Sequence, residues 1–148
     1  MKKSLLALTM LAATVPAQAN ILDKLKATPA TKYELGVFKL ELAAFMLTER
    51  LQGKKMANSG FKIAKFRTEE KDGKVYFVVS GVGKAKHMSK DTCEKYHQSF
   101  VSNGMLTSLI NESWPNLSES EYKELEKSVA PSVELVSKEN KEFTIMCS

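Results

Sequence analysis

The stretch that decides the fold is Phe61–Val82, FKIAKFRTEEKDGKVYFVVSGV. Asp72-Gly73 suits a type I′ turn, whose two central residues both need positive φ. Centring the turn there sets Phe66 opposite Val79 and Thr68 opposite Phe77. Those four residues share one face, so the turn chemistry and the side-chain alternation give the same register. Val75–Val79 (VYFVV) is apolar on both faces, the pattern of a strand inside a sheet rather than at its edge.

Working outward toward the C-terminus, Val133–Cys147 reads as a second hairpin. Val133 and Leu135 alternate on one arm, and Phe143, Ile145 and Cys147 on the other. A three-residue loop, Lys138-Glu139-Asn140, matches those faces, with Asn140 in the left-handed position. Toward the N-terminus, Thr31-Lys32-Tyr33-Glu34 spells a capping box. Leu35, Phe38, Leu42, Phe45 and Met46 follow at helical spacing, widened by Val37, Leu40 and Ala43, and the helix is expected to stop at Gly53.

Between the hairpins the pattern is helical. A second helix starts at Ser89 or Asp91, with Glu94 as boxing partner. Its stripe is Cys93, Tyr96, His97, Phe100, Val101 and Gly104, and Asn103-Gly104 is a point of kinking or division. Leu106, Leu109 and Ile110 continue a helical face to Trp114-Pro115. The third helix begins at Ser118, boxed by Glu121, with Leu117 and Tyr122 as a hydrophobic staple. Tyr122, Leu125 and Val129 form its inner face, and Pro131 ends it. The expected fold is α+β: an antiparallel sheet of two hairpins with three helices, in the order α-ββ-α-α-ββ, stapled by one disulfide.

The chain has 148 residues, 43% of them apolar and 26% charged, which suits one small globular domain. Lys2 and Lys3 precede an uncharged apolar run, Leu5–Val15, and then Ala17-Gln18-Ala19. That is the layout of a cleaved secretory signal, and the run is far shorter than the roughly 20 residues of a membrane span. Residues 1–19 are therefore expected to be removed, leaving 20–148 as one exported domain, periplasmic or secreted, with no integral membrane span.

Cys93 and Cys147 are the only cysteines. An even pair in an oxidising compartment points to a disulfide. It would pin the last strand to the second helix and close a loop worth roughly 4 kcal/mol in the chain-entropy account. The same bond removes the thiolate that Cys93, His97, His87 and Asp91 would need to hold zinc. No metal or other cofactor is expected.

Other motifs fail on their chemistry. Gly81-Val82-Gly83-Lys84 lacks the upstream Gly and the following Ser or Thr of a phosphate loop, since Val78 and Ala85 occupy those places. There is no G-x-S-x-G elbow. Glu69-Glu70 flanks a turn, and Glu119, Glu121, Glu124 and Glu126 line a helix, where carboxylates are solvated. No catalytic residue is assigned.

Charge is segregated. Arg50–Lys90 carries eleven Lys or Arg against three Asp or Glu, whereas Asn111–Glu142 carries four Lys against eight Glu. A basic front half steers association with anionic partners. The residues expected to line that surface are Lys62, Lys65, Arg67, Lys74, Lys84 and Lys86. The reading is an exported small binding or accessory module without catalysis, meeting an anionic macromolecule or an acidic protein surface through its first hairpin. The alternative is an exported hydrolase with an unmarked site, for which His97 is the best base. The sequence leaves the oligomeric state open.

Overall fold

A computed structural model describes residues 32–148, apart from 57, 141 and 142. The expected signal at 1–19, the leader after it and Thr31 of the first capping box lie outside the described residues. The elements are α1 (Lys32–Leu51), β1 (Lys62–Lys71), β2 (Lys74–Gly83), a 3-10 turn (Ala85–His87), α2 (Lys90–Ser102), α3 (Met105–Ser113), α4 (Glu119–Ser128), β3 (Val129–Ser137) and β4 (Thr144–Cys147). The class is α+β, with one four-stranded sheet ordered β1-β2-β3-β4.

The first hairpin has the expected register, Phe66 opposite Val79 and Thr68 opposite Phe77. Asp72 and Gly73 take φ of 53° and 74°, as the turn requires. A bulge between Ile63 and Lys65 precedes Phe66. β2 lies inside the sheet, paired with β1 on one side and β3 on the other.

The expected antiparallel sheet is corrected to a mixed one, because β2 and β3 run parallel, with Val79 opposite Val133. The connection from Lys84 to Ser128 carries three helices. Such a crossover returns the chain to the end where β2 began, so β3 enters in the same direction.

The second hairpin keeps its faces but not its register. Val133 faces Cys147 and Leu135 faces Ile145, two residues away from the tight-loop pairing. The Ser137 N–H donates to the Phe143 carbonyl (3.1 Å), so more than three residues separate the paired arms. Asn140 is not left-handed. Its N–H donates to Ser137 Oγ (3.2 Å) and its carbonyl accepts from Phe143 N–H (3.0 Å). A shift of two preserves side-chain parity, so the apolar alternation could not distinguish the two registers.

Val129, expected on the inner face of the last helix, instead opens β3. Pro131 sits within β3, beyond the end of β4, on a side where no ladder needs its missing N–H. The three expected helices are four, since Gly104 at φ 73° divides the second. Ser89 caps α2 by accepting from the Thr92 N–H (3.1 Å). Ser118 and Glu121 form the reciprocal box of α4 (3.2 and 2.9 Å). The Ser118 N–H and then the Lys32 charge hold the Glu121 carboxyl below its usual range.

The helices share one sheet face with the core. Phe66, Val75, Phe77, Val79, Val129, Val133 and Leu135 meet Leu40, Phe100, Leu109, Ile110, Trp114 and Leu125 there. The α1 stripe is corrected. The helix buries Gly36, Val37, Leu40 and Ala44, while Leu35 and Met46 are 51% and 61% exposed. Phe38, Leu42 and Phe45 are half-buried and do not pack against the core. Helix α1 is apolar on two opposite faces, so periodicity alone cannot choose between them. The core takes the face with small residues, because a Cβ on Gly36 would come within 1.8 Å of the Trp114 indole. Val101 of α2, expected in its stripe, is likewise exposed.

Gly81-Val82-Gly83 belongs to β2. A Cβ on Gly83 would lie 2.3 Å from the Phe61 ring, so that glycine admits Phe61 to the core. Cys93 of α2 and Cys147 of β4 stand at disulfide distance, sulfurs 2.11 Å and Cα atoms 5.9 Å apart. Among the described residues, no helix is long and apolar enough to cross a membrane.

Candidate anion-docking face

Alternation assigns the second sheet face. Lys62, Lys65, Arg67 and Glu69 of β1 point away from the core. So do Tyr76, Val78, Ser80 and Val82 of β2, and Ala130, Ser132, Glu134 and Val136 of β3. Val78 is fully buried yet lies outside the core cluster. It sits between Arg67 and Ser132 in the ladder.

At the centre of this face is a polar network. Arg67 Nη1 donates to Glu134 Oε2 (2.8 Å), and Nη2 reaches Glu69 Oε2 (3.2 Å). The Ser80 hydroxyl donates to the same Glu134 oxygen. Burial pushes the Glu134 carboxyl up, but the bonds from Ser80 and Arg67 and the charges of Arg67 and Lys65 outweigh it and hold the group below its ordinary range. Glu134 is therefore a fixed anion at neutral pH, and Arg67 is largely satisfied within the protein.

The basic residues gather at one end of the face. A short ladder precedes β1: Gly53 N–H donates to Ile63 O (2.8 Å), Ile63 N–H to Lys54 O (2.8 Å) and Met56 N–H to Phe61 O (2.9 Å). It sets Lys55 directly opposite Lys62. Lys62 in turn faces Val82, and Lys65 faces Ser80. Lys84 follows β2 at this end, and Lys86 lies in the 3-10 turn. Among the described residues, no carboxylate forms an ion pair with Lys54, Lys55, Lys62, Lys65, Lys84 or Lys86. Glu139 is at the same end, its carboxylate accepting from the Ala85 N–H (2.9 Å).

The six residues singled out in sequence thus separate. Lys62 and Lys65 lie on the outward face of β1 toward the open end of the first hairpin, Lys84 follows the end of β2, and Lys86 lies in the 3-10 turn, where it lines a pocket with Phe61, His87 and Tyr96. Arg67 is engaged at mid-face. Lys74 lies beside the turn, opposite Lys71, at the far end. Lys54 and Lys55 were not singled out. Their signal was Gly53 and the turn-forming Asn58-Ser59-Gly60, which together fold this segment back on Phe61–Ile63.

His97 is half-buried, with Nε2 3.3 Å from the Pro131 carbonyl. His87 meets the Phe61 ring edge-on, centroids 6.2 Å apart. Among the described residues no serine hydroxyl bonds to either ring, so no nucleophile stands beside the expected base. No group of three or more His, Cys, Asp or Glu among the described residues is placed to hold a metal.

The chain matches no protein-family model, and no curated protein or solved structure is significantly similar to it.

Proposed function

We propose that this chain is an exported binding module without catalysis, which docks an anionic partner at the lysine end of the sheet face turned away from the core. The observation that carries the reading is the cross-strand pair Lys55–Lys62, with Lys65 next along β1. Like charges directly opposite in a ladder are destabilising by themselves. A bound anion removes that repulsion and adds charge-assisted hydrogen bonds. The neighbouring Arg67–Glu134–Ser80 network keeps the middle of the face rigid and close to neutral, so the attraction is focused at one end. Its partner is an anionic macromolecule or an acidic protein surface, and the compartment is the periplasm or beyond. Residues 1–19 read as a signal, and a cysteine pair at bonding distance suits oxidising surroundings.

The test is retention on immobilised heparin, a polyanion of high charge density. The expected result is that Lys55→Glu/Lys62→Glu elutes at much lower salt than wild type, while Lys71→Glu/Lys74→Glu, with the same change in net charge, elutes near wild type. Equal losses from the two variants would mean that only net charge matters, and the docking end would be abandoned.

A further inference from the structure

One surface cavity differs from its neighbours in what lines it. It measures about 400 Å³ and lies between the 58–61 turn, the 3-10 turn and α2. Its wall includes Asn58, Lys86, His87 and Tyr96, and among the described residues no carboxylate lines it. The cavities along α4 and beside the first hairpin turn are each lined by Glu or Asp. Glu139 holds the Ala85 N–H but is not part of this wall.

The polar wall divides into groups already engaged and groups still unspent. Ser59 Oγ donates to the Met56 carbonyl and accepts from the Phe61 N–H (3.1 Å), which shapes the turn. Ser89 Oγ and Thr92 Oγ1 share a hydrogen bond (2.7 Å) while Ser89 caps α2. Asn58, Lys86, His87 and Tyr96 are different. Among the described residues, none of their side-chain polar atoms has a hydrogen-bond or ion-pair partner. Packing holds two of them instead. The Phe61 ring, itself 1% exposed, meets His87 and Tyr96 edge-on, at 6.2 and 5.5 Å between centroids. A Cβ on Gly60 would stand 3.6 Å from His87 Nε2, so the glycine leaves the space beside that nitrogen open. Side chains placed in advance lose less freedom when a ligand arrives.

An ammonium, an imidazole, a phenol and a carboxamide are all hydrogen-bond donors. Converging without an acid among them, they fit an anion with several acceptor oxygens. The cavity has more room than a bare ion needs and falls in the size range of small-molecule sites. A lysine beside a histidine supplies up to two positive charges. That matches a phosphate monoester, which is close to doubly charged near neutral pH, better than a singly charged sulfate ester. We infer that this cavity is a binding site for a small phosphate monoester, its phosphoryl oxygens held by Lys86, His87, Tyr96 and Asn58. Phe61 belongs to the core and Lys62, the next residue, to the outward face. The cavity and the lysine ladder therefore lie on opposite sides of this segment, and the inference stands independently of the anion-docking proposal.

The experiment is a titration of the purified protein with glucose 6-phosphate at constant ionic strength, followed by calorimetry and by amide chemical shifts. Wild type is expected to bind saturably, with shifts at residues 58–61, 86–89 and 92–96, and plain glucose to produce none. Lys86→Gln and Tyr96→Phe are each expected to weaken binding about tenfold or more, the loss of one hydrogen bond to a charged group. Tyr96→Phe keeps its ring on Phe61, so its thermal midpoint is expected to stay at the wild-type value, which separates lost binding from lost folding. Lys74→Gln makes the same charge change at the far end of the first hairpin and is expected to bind as wild type does. A wild type without saturable binding would overturn the inference. So would wild-type affinity in both Lys86→Gln and Tyr96→Phe, a loss in Lys74→Gln equal to that in Lys86→Gln, or glucose 6-sulfate binding as tightly as the phosphate.

Discussion

The two faces of the sheet are adjacent in sequence and opposite in physics. Phe77 and Val78 are neighbours in β2, and neither is exposed to solvent. Phe77 is enclosed by apolar groups, packing against Phe66 at 6.0 Å and Phe100 at 6.3 Å between ring centroids. Val78 lies on the other face, between Arg67 and Ser132 and beside the Glu134 network. One face gains stability from removing apolar surface from water. The other buries Val78, Ser80 and Ser132 beside fixed charges whose positions are set by the ladder. A surface with that division of labour is suited to recognition, because its charge pattern is held by a core it does not share.

Substitutions on the two faces sharpen this contrast. Phe77→Ala is expected to cost about 3–5 kcal/mol, the range for a buried aromatic whose cavity collapses only partly. Urea denaturation measures it. Removing the Cys93–Cys147 link with a double alanine variant is expected to cost roughly 2–4 kcal/mol, because β4 is short and its last residue is held to α2. Val78→Ala is expected to cost about 1–2.5 kcal/mol, from lost transfer energy with less apolar cavity around it. A loss equal to that of Phe77→Ala would mean the face around Val78 is a second core, and the contrast would fail.

Smaller still is the effect of the polar network, visible as pH dependence. The folded-state pKa of Glu134 is lowered. Its contribution is therefore fully present above the unfolded glutamate value and is lost as pH falls through the lower folded value. The window is acidic, from the ordinary value of 4.5 downward. Wild type is expected to lose more stability than Glu134→Gln between pH 7 and that window. Parallel pH curves for the two proteins would show that the network contributes nothing.

Legibility followed how many independent signals each segment carried. In Phe61–Val82, the Asp72-Gly73 turn and the alternating faces both fixed one register, and the structure has that register. In Val133–Cys147 only the alternation was available, and a slip of two residues leaves it unchanged. Helix α1 was legible as a helix, but two apolar faces made its core side ambiguous until Trp114 met Gly36. The parallel pairing of β2 with β3 depends on where three helices carry the chain, which no local pattern records. The same holds for the candidate site. Lys62, Lys65, Lys84 and Lys86 were visible as a charge run. The Lys55–Lys62 pairing and the capture of Arg67 by Glu134 depend on neighbours across the ladder, 67 residues apart in sequence for the latter.

The most direct test of the account is a titration of the isotopically labelled protein with a heparin oligosaccharide, followed by amide chemical shifts. The account predicts saturable shifts concentrated at residues 54–65 and 80–86, fading as salt rises, with the Asp72–Lys74 turn unmoved. Shifts spread evenly over the lysine-bearing surface, or centred on that far turn, would contradict it.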